Sequence, residues 1–184
     1  RYNSIMNIFY LDKDPKTCAE MHCDKHVVKM IIDYAQLMST AHRVLDGDPY
    51  VSQTLGGRRI QRWRHPDDLM EQTLYKASHI NHPTTQWVRE SADHYQHLLA
   101  LWRQLSFEYT YRYGRVHETF RKLNVVLSEL PRNIPKVGFT EPPQCMPDDV
   151  KSESVIDADH KYYAVYKKDF AKWTNRPVPN FMSV

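Results

Sequence analysis

Long apolar runs are missing from this 184-residue chain. Without a stretch of about eighteen apolar residues no membrane span is expected, and without a charged-then-apolar leader no secretory signal is expected. Its three cysteines, Cys18, Cys23 and Cys145, follow neither zinc-finger nor paired-disulfide spacing. A disulfide framework is therefore excluded. All three are expected reduced, which suits a cytoplasmic protein. No internal repeat, low-complexity stretch or HExxH pattern occurs, which removes solenoids, disordered tails and one class of zinc enzyme. A large charge excess is absent too. The formal net charge is +3, which alone says little about partners, and nothing in the sequence bears on oligomeric state.

What remains is enough length to bury a core without a disulfide or structural metal, and a strong helical period. The expected fold is all-α: a single compact domain of two long packed helices, shorter helices and a proline-rich wrapping loop, over residues 6–184. Residues 1–5 precede Met6 and are expected to be an extension or vector remnant. After an extended opening segment at residues 7–11, Asp14 suits an N-cap and Pro15 the first helical position. No glycine or proline interrupts residues 16–45, where Met21, Val28, Ile31, Ile32, Ala35, Met38 and Leu45 recur at helical spacing. A second, short helix is expected after His65-Pro66-Asp67. A third, starting at Pro83 and closed by Gly114, carries the apolar stripe Val88, Tyr95, Leu98, Leu99, Trp102, Leu105 and Tyr109. A fourth is expected over residues 117–130. Five prolines between residues 131 and 147 rule out regular structure there, and a closing helix is expected over residues 157–173.

Chemistry gathers at two places. On the first helix, His22, Asp24, Lys25, His26 and Lys29 make its opening turns polar where later turns are apolar. The heptad grid turns Asp24 toward the core, where a carboxylate must find a donor or take up a proton. Asp24 and His26 would then move protons, and Lys25 would serve as nucleophilic amine or phosphate contact, with His22 beside them. The second cluster, His79, Asn81 and His82, sits at the turn before Pro83, and with Lys29 and Arg89 it would bind substrate. The short helix between them permits the two long helices to pack near parallel, and that packing is expected because it brings the two polar clusters together. No cofactor is required, although His22, His26, His79 and His82 together form an alternative divalent-metal set. Between the helices, Arg58, Arg59, Arg62 and Arg64 surround Trp63 in a loop after a glycine pair, a composition suited to gripping phosphates and stacking on a base.

The order of these pieces, with HCDKHVVK at residues 22–29 and HINHP at residues 79–83, resembles the phage pyrimidine-dimer DNA glycosylase (endonuclease V) family. The resemblance spans roughly residues 6–113. It implies DNA as partner and a flipped nucleotide attacked by an amine. This chain departs from the family at two points: Asn7 after Met6 does not suit a processed terminal amine, and Lys29 stands near the family glutamate's place. The resemblance therefore implies DNA glycosylase- or lyase-like chemistry on a damaged or modified nucleotide, with Asp24 or Asp33 as the acid. A metal-dependent hydrolase or transferase on a nucleotide-like molecule, and a non-catalytic phage inhibitor, are the other functions compatible with the sequence.

Overall fold

The computed structural model describes residues 7–183, so the expected extension at residues 1–5 and Met6 lie outside them. Residues 7–11 are buried, as the apolar run requires, but belong to no helix or strand. Asp14 then caps α1 (Pro15–Met21), its carboxylate accepting from the Thr17 amide at 3.0 Å. The expected continuous first helix is broken at His22 and Cys23, which adopt extended backbone before α2 (Asp24–Asp46) begins. No local breaker residue causes this. The amide of Asp24 donates to the Lys172 carbonyl at 2.7 Å, and that of Cys23 to the Tyr163 hydroxyl at 3.3 Å. Tertiary partners thus claim donors that a continuing helix would have used internally.

The all-α expectation needs one correction: the fold is mostly helical with a small antiparallel sheet. β1 (Asp48–Gln53) pairs with β2 (Arg59–Arg64) in a hairpin running from Asp48 opposite Arg64 to Gln53 opposite Arg59. Its tip is closed by the Gly57 amide donating to the Thr54 carbonyl at 2.9 Å, with Gly57 at φ 84°. The arginine-rich stretch is therefore a strand and turn. Arg43 fastens the hairpin's root, donating to the carbonyls of Trp63, Leu74 and Tyr75 and to Glu71 at 2.6–3.1 Å. α3 (Asp68–Thr73) follows, capped by Asp67 as expected.

The third helix is also divided, into α4 (Pro83–Glu90) and α5 (Ala92–Tyr113), with Ser91 extended between them. Here the proline-rich segment intervenes. The Ala92 amide donates to the Pro135 carbonyl at 2.7 Å, the Trp87 indole donates to the Thr140 carbonyl at 3.1 Å, and Thr140 donates to His94 Nε2 at 3.0 Å. The expected wrapping loop thus covers the α4–α5 joint and replaces the helical bonds lost at Ser91. Glu118 opens α6 (Glu118–Leu127), and α7 (Val155–Tyr166) is capped by Ser154 and stops short of the expected residue 173.

α2 and α5 form the centre. Arg112 meets Asp24 at 2.9 Å, the Trp102 indole meets the Ile31 carbonyl at 2.9 Å, and Tyr95 meets His42 at 2.8 Å. Partner numbers on α5 fall as those on α2 rise, so the two helices run antiparallel. Leu37, Met38, Leu98, Leu101 and Trp102 are fully buried between the packed elements, each worth roughly 1.5–3 kcal/mol of apolar burial. The near-parallel packing expected from the sequence is overturned. Among the described residues, no helix is long and apolar enough to cross a membrane.

Candidate functional site

The antiparallel core separates the two predicted clusters. Ser78 donates to Thr40 Oγ1 at 3.2 Å and Gln36 to the Lys76 carbonyl at 2.6 Å, so the HINHP turn lies beside the later half of α2. At about 1.5 Å per residue it sits roughly 20 Å along the axis from the helix start. There His79 and Asn81 are exposed, His82 caps α4 by accepting from the Thr84 amide at 3.1 Å, and Arg89 donates to the Ile80 carbonyl at 2.8 Å. These residues secure a turn. The alternative metal set of His22, His26, His79 and His82 is not brought together, because the break at Cys23 and the antiparallel packing both prevent it.

At the start of α2 the imidazoles are inside the protein. His22 is fully buried, with Nδ1 at 2.7 Å from the Cys18 carbonyl and Nε2 at 2.9 Å from the Tyr34 hydroxyl. Burial depresses it to about 4. His26 stacks on Phe9, with ring centroids 4.3 Å apart, and holds the Tyr163 hydroxyl at 2.5 Å through Nδ1. Burial, then the charges of His22, Lys167, Lys29 and Lys25, push it well below the usual imidazole value. Both rings are neutral at pH 7.

Asp24 is only partly covered, its side chain 21% exposed, which corrects the core-facing expectation. It accepts from Arg112 at 2.9 Å, from the Thr174 amide at 2.9 Å and from the Thr174 hydroxyl at 2.6 Å. Burial works against its ionisation, but the Thr174 and Arg112 hydrogen bonds outweigh it and hold the carboxyl below its ordinary value. Asp24 is a clamp between α2, α5 and the carboxy-terminal segment, with Glu108 bridging Arg112 and Arg176 beside it.

Three ammonium groups lie near enough to His26 for their charge to act on it. Lys25 is exposed, with Nζ 4.5 Å from the Phe170 ring centroid, and Lys29 pairs with Asp33 at 3.1 Å. The third, Lys167, is new relative to the sequence expectations. Its Nζ lies 4.7 Å from the Tyr162 ring centroid and 5.7 Å from that of Phe170. Burial lowers it below the ordinary lysine value, Cys23 pulling the other way and Lys29 adding to the depression. Only its place just past α7, beside a buried tyrosine pair, marks it in the sequence, and that signal is weak.

The hairpin divides its arginines. Arg62 is spent on the Ala77 carbonyl at 2.6 Å, and Arg64 lies 5.2 Å from the Tyr50 ring centroid. Arg58 and Arg59 are exposed at the tip, and Trp63 is half-buried at the root.

A further group was missed by the sequence. His42 and Asp46, one turn apart on α2, meet His65 directly after β2, their ligand atoms all within 4.8 Å of one another. A His and an Asp four residues apart at a helix end, with another His closing the following basic stretch, was the available signal. Compared with protein-family models, characterised proteins and solved structures, the chain matches none.

Proposed function

We propose that the protein acts on DNA by amine chemistry at the start of α2, as a glycosylase- or lyase-like enzyme on a flipped nucleotide. The observation that carries this is the half-buried Lys167 amine, held below its ordinary pKa beside Lys25 and Lys29. An amine becomes a nucleophile when burial and like charge favour its unprotonated form. Lys167 takes the attacking role first expected of Lys25, and Lys25 and Lys29 supply positive charge for the phosphates flanking the target sugar. His26, neutral and bonded through Nδ1 to the Tyr163 hydroxyl, is the proton acceptor of the site by way of that hydroxyl. The exposed Arg58 and Arg59 support the same substrate, since a two-stranded basic ribbon can lie along a duplex. Asp24 keeps a positioning role through Thr174 and Arg112.

Borohydride trapping on duplexes carrying abasic sites or damaged pyrimidines tests this. A covalent protein–DNA complex should form with the unaltered chain and with Lys25→Ala, and vanish with Lys167→Ala. Loss in Lys25→Ala alone would move the nucleophile to Lys25. No complex on any of these DNAs would overturn amine chemistry.

A further inference from the structure

The root of the hairpin holds two buried imidazole nitrogens with nothing to bond. His42 is 1% exposed and His65 7% exposed, yet among the described residues His42 Nδ1 and His65 Nε2 have no hydrogen-bond partner. A buried polar atom without a partner is costly, and two of them beside one carboxylate call for an occupant. We propose that His42, Asp46 and His65 bind a divalent transition metal, zinc foremost, at a site separate from the start of α2.

The surrounding bonds prepare each ligand. The Tyr95 hydroxyl donates its only proton to the Leu127 carbonyl at 2.7 Å, so at 2.8 Å it must accept from His42 Nε2. His42 therefore carries its proton on Nε2 and presents a bare lone pair at Nδ1. The Glu129 carbonyl also acts on this ring, but it makes no hydrogen bond to Nδ1, and the short Tyr95–Leu127 bond fixes the tautomer. Asp46 Oδ1 accepts from the Asn133 amide at 3.0 Å and its side chain at 2.8 Å, while Oδ2 accepts only from the Arg132 amide at 2.8 Å. One lone pair on Oδ2 is left for a cation. Such outer bonds are what orient metal ligands and raise their basicity.

His65 needs one rearrangement. Its Nδ1 accepts the Asp67 amide at 3.0 Å, which places the proton of the neutral ring on Nε2. Ligation through Nε2 moves that proton to Nδ1 and gives up the Asp67 bond, exchanging one neutral hydrogen bond for a metal bond. Two imidazoles and one carboxylate suit zinc with a fourth position open. Asp46 and His65 also line a cavity of about 270 Å³ shared with Asp67, Arg132 and Asn133, with room for a water or a phosphate oxygen to complete the set.

The test is calorimetric titration of the chelator-treated full chain with zinc, read beside the visible ligand-field bands of a cobalt-loaded sample. One zinc per chain is expected, with tetrahedral cobalt bands and a melting temperature that climbs with free zinc. His65→Asn, whose Oδ1 takes the place of Nδ1 and can still accept from the Asp67 amide, should weaken zinc by more than the roughly 10–100-fold that losing a supporting contact costs. Asp46→Asn should do the same. Both variants must keep the circular dichroism of the metal-free parent. Failure to take up zinc or cobalt would overturn the site, as would zinc binding that neither variant weakens. Neither readout involves DNA or Lys167, so this site stands or falls apart from the proposed function.

Discussion

Asp159, His22 and His26 are buried titratable groups whose burial sets stability against pH in opposite directions. For the two histidines the folded pKa lies below the unfolded value near 6.5, at about 4 for His22 and well below it for His26. As pH falls below about 6.5, the unfolded chain takes up protons that the folded one refuses, so stability drops toward pH 4. The shift of His22 corresponds to something on the order of 3 kcal/mol. Asp159 is the reverse. Fully buried, with Oδ2 accepting from the Tyr10 amide at 2.8 Å and Oδ1 without a partner, it is pushed up to about 8. Its folded pKa exceeds the unfolded one, so its contribution is complete below about pH 4 and is lost as pH rises toward 8. Between pH 4 and 6.5 the two imidazoles outweigh the one carboxyl; above 6.5 only the carboxyl acts. Urea midpoints measured from pH 5 to 8.5 should peak near pH 6.5. Asp159→Asn keeps an acceptor for Tyr10 and should flatten the alkaline limb and steepen the acid limb, where the carboxyl no longer opposes the two imidazoles.

The junction between α2 and the hairpin depends on a close approach at Gly47. Its backbone, at φ −92°, is open to any residue, yet an added Cβ would meet the Arg43 carbonyl at 2.5 Å and the Arg64 carbonyl and Trp63 Cβ at 3.1 Å. Gly57 is the opposite case, with a left-handed φ of 84° and nothing within 4 Å. Gly47→Ala should cost roughly 1–3 kcal/mol through overpacking, and Gly57→Ala only about 1–2 kcal/mol of local strain. Urea unfolding ranks the two, and a larger loss for Gly57→Ala would show that the junction yields. The same elements mark how far the sequence could be read. Asp14, Asp67 and Pro83 signalled helix starts because capping is local chemistry, and the prolines of residues 131–147 ruled out regular structure for a local reason too. The breaks at Cys23 and Ser91 left no local sign, being made by Lys172, Tyr163 and Pro135 from far along the chain. The hairpin was missed because four arginines hid the period-two pairing that Tyr50, Ser52, Ile60 and Arg62 share. For the candidate site, His22, His26 and Lys25 were legible as a polar start to α2. Lys167 and the His42–Asp46–His65 group were not, since only tertiary packing brings their parts together.

At the scale of the molecule, the antiparallel core sets two basic surfaces at opposite ends of α2. The hairpin tip with Arg58 and Arg59 follows its end, and Lys25 and Lys29 stand at its start. α2 has 23 residues, so its two ends stand about 34 Å apart along its axis, close to one turn of duplex DNA at about 34–36 Å. On the proposed function, a single duplex longer than that turn can engage both ends, and a shorter one only one at a time. Fluorescence anisotropy with duplexes of about 20 and about 8 base pairs separates these cases. The longer duplex should show a steeper fall of affinity with salt, the slope growing by about 0.9 for each added phosphate contact. An Arg58→Ala, Arg59→Ala double variant should remove up to about two such units from the long duplex. Lys25→Ala should remove up to about one, the two losses adding because the sites are far apart. On the short duplex either change should matter less, the other end taking over the binding. Equal salt slopes for the two lengths would mean that the ends of α2 do not share one duplex, and would leave the hairpin without a part in holding DNA for Lys167.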